Sequence, residues 1–311
     1  MKKILIVYIF SLFSATLFSQ NNDSIAQVIA DGKKPVEETW GSTMLVDVQT
    51  TLVPTKGSIE LIIQHRFANF SEGIKNIYGI YGTSNIRMAL SYSIINRLMV
   101  GFGTEKDNKY QEFFTKAKIL EQNRKGSIPI SLAFFGNATI SGMEKTYWGN
   151  DYKFADRMSY FAQLIVAREF CKAFSLEAAV SYSHINKVEG VKITRTISTD
   201  TGKVNVSSYK GKYLNDILGV SAGAKINFYN NMSFLLEYDQ GFFLQMGENQ
   251  MLFPKPNLAI ALEIATSTHC FQVFASNFHG IIPQQNFTKN QFDFKNSKGW
   301  MLGFNITVRL R

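Results

Sequence analysis

From Trp300 to the end of the chain, side chains sort into two classes with a period of two. Trp300, Leu302, Phe304, Ile306, Val308 and Leu310 form one set; Met301, Gly303, Asn305, Thr307, Arg309 and Arg311 form the other. A helix would mix these sets, whereas an extended strand sends them to opposite faces. The same separation recurs at 174–183, where Phe174, Leu176, Ala178, Val180 and Tyr182 alternate with Ser175, Glu177, Ala179, Ser181 and Ser183. It recurs again at 232–239 and at 258–265.

Segments of this kind predict strands near 59–69, 85–95, 97–104, 110–120, 128–140, 157–170, 174–185, 216–228, 232–240, 257–266, 269–277 and 299–311. Each approaches the roughly 9–11 residues that a tilted strand needs to cross a bilayer. The connections alternate in length. Those near 95–97, 121–127, 171–173, 229–231 and 267–268 are short. Those at 70–84, 141–156, 186–215, 241–256 and 278–298 are long, and the joint at 105–109 is the shortest of that set. Tight periplasmic turns and longer outer loops are the pattern of an outer-membrane barrel, and a soluble β-sandwich has no reason to produce it. The expected fold is therefore all-β: a transmembrane, antiparallel, up-and-down β-barrel of about twelve strands, with fourteen as the alternative if residues 43–57 add a pair.

Composition fits this reading. Hydrophobic residues are 45% of the chain and aromatics 14%, with 26 Phe and 13 Tyr. After the first residues, no stretch approaches the roughly 20 apolar residues of a spanning helix. Half-greasy, half-wet strands average out to an unremarkable composition. Tyr92, Tyr110, Tyr160, Tyr182, Phe228, Tyr229, Tyr238 and Trp300 lie near strand ends, where interfacial girdles are expected.

The N-terminus divides the chain. Lys2 and Lys3 precede an apolar run from Ile4 to Phe18, followed by Ser19, Gln20 and Asn21. This is a Sec signal peptide over 1–19, without a nearby cysteine for a lipid anchor. Residues 20–58 form a periplasmic segment, polar at first, then extended over Thr43–Val53, with Pro54-Thr55-Lys56-Gly57 as a turn. It is expected either to enter the lumen as a plug or to lie along the periplasmic rim. The barrel then occupies 59–311.

The polar strand faces carry Arg66, Arg87, Arg97, Glu112, Lys116, Lys118, Glu169, Glu177, Lys225, Glu237, Asp239, Glu263 and Arg309. Both signs are present, so these groups can pair across a wet interior. At the lipid midplane an Arg or Lys would cost about 2–4 kcal/mol. They are the expected lumen lining. His65 is the misfit, since its parity puts it on the lipid face. Lys187, Lys192, Arg195, Lys203, Lys210 and Lys212 make the loop after 185 strongly basic. Facing outward, that loop meets the phosphates of outer-membrane lipids and lipopolysaccharide or an anionic solute, unless it is merely a solvated loop. The net charge of +9 belongs to such loops rather than to nucleic-acid binding.

Chemistry-bearing motifs are sparse. His65, His184, His269 and His279 form no HExxH and no Cys/His cluster, so no metal and no cofactor are expected. His184 beside Ser181 and Ser183 is the nearest approach to a hydrolase constellation, and a solvated interfacial histidine is the plainer reading. Gly101-Phe102-Gly103 marks close backbone approach, not a phosphate cradle. Cys171 and Cys270 fall on distant strands, and no bond is expected between them.

Several strings resemble a Bacteroidetes family described as a membrane-bound β-barrel domain of unknown function. They are Lys56-Gly57 to Phe67, including Gln64-His65-Arg66-Phe67; Ser84-Asn85-Ile86-Arg87; Asn96-Arg97-Leu98-Met99-Val100-Gly101; Tyr160-Phe161-Ala162-Gln163-Leu164; and Phe271–Asn277. The resemblance runs from about residue 40 to the end and leaves out the basic loop. It implies an outer-membrane barrel and brings no activity with it. Together these features favour a narrow channel or transporter for small solutes. A structural or binding barrel with a periplasmic or surface partner is the alternative, and an enzyme is not expected.

Overall fold

The computed structural model describes residues 34–36, 39–188, 190–199, 202–243 and 252–310, without the side chains of 190–212 and 243. The expected signal peptide lies outside these residues. Twelve strands close into a barrel: β1 (Ile59–Asn69), β2 (Asn85–Ile95), β3 (Leu98–Glu105), β4 (Tyr110–Leu120), β5 (Ser131–Ser141), β6 (Met158–Cys171), β7 (Phe174–Ile185), β10 (Asp216–Tyr229), β11 (Met232–Phe243), β12 (Asn257–Ala265), β13 (His269–Ser276) and β14 (Met301–Leu310). Each pairs antiparallel with its neighbour in that order, and β14 returns to β1 from Ile59↔Leu310 to Arg66↔Gly303. Closure leaves no sheet edge, which is what satisfies the backbone in lipid. No helix among the described residues is long and apolar enough to cross a membrane.

Parity decides the two faces. On β7, Ser175, Glu177, Ala179, Ser181 and Ser183 are buried, while Leu176, Val180 and Tyr182 are exposed. On β11, Leu235, Glu237 and Asp239 are buried, whereas Phe234, Leu236 and Tyr238 are exposed. The apolar set faces outward and the polar set inward. This is the inverse of a soluble barrel and matches a lipid-facing surface.

Turns of two or three residues join β2 to β3, β6 to β7, β10 to β11 and β12 to β13 at one end, where the ten-residue β4–β5 joint also lies and where β1 begins and β14 finishes. At the other end the β3–β4 joint is only four residues, and the remaining connections there are longer. The connection after β7 contains a hairpin, β8 (Gly190–Thr199) and β9 (Gly202–Lys212), as a separate two-stranded sheet. The expected loop is thus partly strand, outside the barrel count.

The lumen is filled by two segments. Residues 40–53 run inside it, and nearly all are buried. They form no additional strands of the barrel, so the closed sheet has twelve. They also depart from the extended form expected for Thr43–Val53: Leu45 N donates to Val48 O at 2.8 Å and Thr50 N to Thr43 O at 2.9 Å, folding 43–50 into a closed turn. From the loop end, residues 278–290 turn inward and form a short helix, α1 (Pro283–Lys289), with Pro at its start. Phe278, Ile281, Ile282 and Phe287 are buried there.

Candidate functional site

The site is the plugged lumen. Its wall is cross-braced by three ion pairs. Arg87 donates to Glu112, which also accepts from Asn137 Nδ2 at 2.6 Å. Lys225 Nζ meets Glu263 at 2.8 Å, and Arg309 Nε meets Glu60 at 2.9 Å. These pairs neutralise the wall locally, as buried charges require.

Other charged groups hold the plug. Glu237 accepts three consecutive backbone N–H groups, from Val46 at 2.9 Å, Asp47 at 3.0 Å and Val48 at 3.1 Å. Successive N–H groups curving round one oxygen make an anion-binding concavity. On another side, Arg66 and Asn305 donate to Val46 O at 3.2 and 2.9 Å. Gln272 donates to Met44 O at 3.3 Å, and Lys116 to Thr43 O. Ser42 and Thr307 hydroxyls lie 3.0 Å apart. The two inserted segments meet where Asn286 of α1 donates to Asp47 Oδ2 at 2.7 Å.

Apolar contacts complete the seal. Leu45 projects over Gly223, where an added Cβ would come within 2.2 Å of Leu45 Cδ1. At Gly241 a Cβ would meet Phe287 O at 2.5 Å. Phe287 also stacks towards Phe161, with ring centroids 5.6 Å apart. The wall glycines make room for the plugs, as strand glycines often do where another backbone approaches.

Asp47 lies on the plug, outside the strands. Burial first, then Glu237, push its carboxyl up to about 7, against the lowering effects of Arg66, the Asn286 hydrogen bond and Arg87. Glu177 and Asp239 are buried on the adjoining wall; the Glu177 carboxylate has no hydrogen-bond partner among the described residues and feels the Lys116 ammonium, while Asp239 lies against the Ser221 hydroxyl. They sit close to Glu237: Glu177 and Glu237 both pair with Gly223, while Asp239 pairs with Ser221 one row on.

The model of the membrane bound beta barrel domain family, DUF5777, matches residues 40–310. The chain belongs to this family. The matched span starts at the plug, so plug and barrel belong to one domain description. No curated protein matches the sequence of this DUF5777 barrel. Among solved structures it is similar to the NanC porin, at 8% identity and TM-score 0.44, covering 81% of this chain and 99% of that one. It is also similar to the COG4313 outer membrane channel from Pseudomonas putida F1, at 7% identity and TM-score 0.45, covering 83% and 97%. The KdgM porin is a third, at 8% and TM-score 0.41, covering 82% and 98%.

Most charged residues expected in the lumen of this DUF5777 barrel point inward. Arg66, Arg87, Glu112, Lys116, Glu177, Lys225, Glu237, Asp239, Glu263 and Arg309 are all buried. Lys118 and Glu169 are half-buried near the turn end, where Lys118 pairs with Glu121 and Glu169 accepts from Thr39 at 3.1 Å. Arg97 is a correction: it is exposed in the β2–β3 turn. It shares the inward parity of Met99, but β3 starts only at Leu98, so Arg97 falls in the two-residue turn at the rim of the barrel, where its side chain reaches solvent. Tyr110 is another, since it shares its parity with Glu112 and is buried facing inward rather than in a girdle.

His65 does face outward, sandwiched between Phe67 and Phe304 at 4.3 and 5.0 Å between centroids. Ring stacking makes a lipid-side imidazole tolerable. His184 is separated from its serines: Ser181 and Ser183 point inward, while His184 Nδ1 meets Asp216 at 2.7 Å and Nε2 meets Asn186 Oδ1 at 2.8 Å. No serine or cysteine among the described side chains is bonded to it in that arrangement. Cys171 and Cys270 are both free. Of the basic loop, Lys187 is tied to Trp148 O and to Asp156 at 3.2 Å. The side chains of Lys192, Arg195, Lys203, Lys210 and Lys212 lie outside the described residues.

Neither α1 nor the Glu237 clamp was legible before the fold. The signals available were Pro283, a helix-start residue in a long loop, and the glycines at 219, 223 and 241 opposite a predicted plug. A 930 Å³ depression between Phe102, Phe113 and Phe134 lies on the outer apolar face, away from this chemistry.

Proposed function

We propose that this protein is a gated, narrow channel for small polar solutes in the outer membrane, held here in its closed state. The observation that carries the reading is how the plug is seated. Wall side chains grip its backbone through hydrogen bonds, and each of these can be exchanged for water when the segment leaves. A wet, two-signed lumen would remain, braced by the Arg87–Glu112, Lys225–Glu263 and Arg309–Glu60 pairs. In this reading the short-turn end is periplasmic, reached by Sec export. The basic loop from Lys187 to Lys212 faces outward towards lipopolysaccharide phosphates.

A second reading has a specific observation behind it. Apolar plug residues join aromatic wall clusters: Met44 and Val53 with Phe114 and Phe161, and Trp40, Leu45 and Leu52 with Leu235 and Phe274. A permanently filled barrel would serve as an anchor for a periplasmic or surface partner instead. The outward His184 and its inward serines favour neither reading as an enzyme. Planar-bilayer recording with and without residues 20–55 separates the two. The channel reading expects rare steps with the full chain and persistent conductance after deletion; silence in both supports the anchor.

A further inference from the structure

The plug is itself a bound ligand of the wall, and its chemistry is that of a peptide backbone. Glu237 takes three N–H groups in a row, while Arg66, Asn305, Gln272 and Lys116 supply donors to the carbonyls of Val46, Met44 and Thr43. None of these contacts reads a plug side chain. Acceptors on one side and donors on the other therefore recognise a tightly turned main chain, since an extended one would point alternate N–H groups away from Glu237. Beyond what the plug satisfies, Glu177 and Asp239 stand buried next to Glu237 with no ion pair of their own among the described residues, only the more distant Lys116 charge on Glu177 and the Ser221 hydroxyl beside Asp239. The plug offers them no cation. A free peptide's terminal ammonium would.

We infer that the solutes this lumen selects are short peptides with a free amino terminus. They compete with residues 42–50 for the Glu237 seat and so displace the plug. The inference rests on the channel reading for its purpose, but not for its test.

The test uses the full chain carrying Ser42→Cys, Cys171→Ser and Cys270→Ala, so that position 42 is the one thiol. Position 42 is buried, so its thiol reports plug displacement through its rate of alkylation by a small maleimide. Trialanine should raise that rate about tenfold, a shift worth about 1.4 kcal/mol of seating. Triproline lacks internal backbone N–H groups and should leave the rate unchanged, as should maltotriose at the same concentration. Glu237→Gln should raise the basal rate and abolish the trialanine effect. An absent trialanine effect overturns the inference. So does an equal effect from triproline or maltotriose, and this comparison within one protein does not depend on the variant folding. A bilayer that stays silent while trialanine accelerates labelling would remove the channel reading alone. Conductance without peptide-specific labelling would remove the peptide inference alone.

Discussion

Asp47 is the residue on which both inserted segments converge. Its carboxyl faces Glu237 and Asp239 of β11, Arg66 of β1, Arg87 of β2 and Asn286 of α1. Its pKa is raised from 3.8 to about 7 in the seated plug. A carboxyl raised by seating stabilises the seat fully below its free pKa, and that stability is lost as pH climbs through the seated value. Plug docking should therefore weaken between about pH 4 and pH 7. Alkylation of a Ser42→Cys thiol, followed from pH 5 to 8, should accelerate, and Asp47→Asn should flatten the profile. A rate falling with pH, once corrected for thiolate formation, would contradict this. Arg87 acts differently, since it braces the wall. Arg87→Ala leaves Glu112 buried without its cation, and breaking such a pair costs about 3–5 kcal/mol. The urea midpoint of the folded, heat-modifiable barrel should drop accordingly. An unchanged midpoint would mean that water compensates Glu112.

At the level of elements, α1 owes its position to Gly241 and Gly219. A Cβ at Gly241 would meet Phe287 O, a backbone atom that cannot swing aside. Gly241→Ala should expel α1 while the strands keep their pairing, read as faster proteolysis within 278–290 and unaltered heat-modifiability. On the outer face, Val180 is exposed midway along β7. Val180→Arg should destabilise the barrel in lipid by about 2–4 kcal/mol, whereas a tolerated arginine would mean that this face does not meet acyl chains.

The strands were legible because lipid outside and water inside impose opposite demands on alternate residues, as Phe174 to Ser183 display. Arg97 was misplaced because alternation gives a side but not an end: the strand starts one residue later, and Arg97 sits in the turn at the rim. The seat of the plug was legible only in outline. Thr43–Val53 has the residues of a strand, yet Glu237, far along the chain, gathers its N–H groups and bends it into a turn. α1 was hidden because a short buried helix held by Gln284–Asn137 and Asn286–Asp47 contacts carries no apolar period.

Taken whole, the molecule is a charged tube stoppered from both ends, and the proposed channel function requires the N-terminal stopper to move. Ser42 and Thr307 place their hydroxyls 3.0 Å apart across the plug–wall boundary. Replacing both by cysteine, in a Cys171→Ser, Cys270→Ala background because Cys270 pairs directly with position 307, gives a lock that redox conditions can open. The decisive measurement is single-channel current through the full-length double variant in a planar bilayer. Stepwise openings should appear under reducing conditions and vanish on oxidation. Steps that persist after the disulfide has formed, or a bilayer that stays silent in both states, would contradict the account.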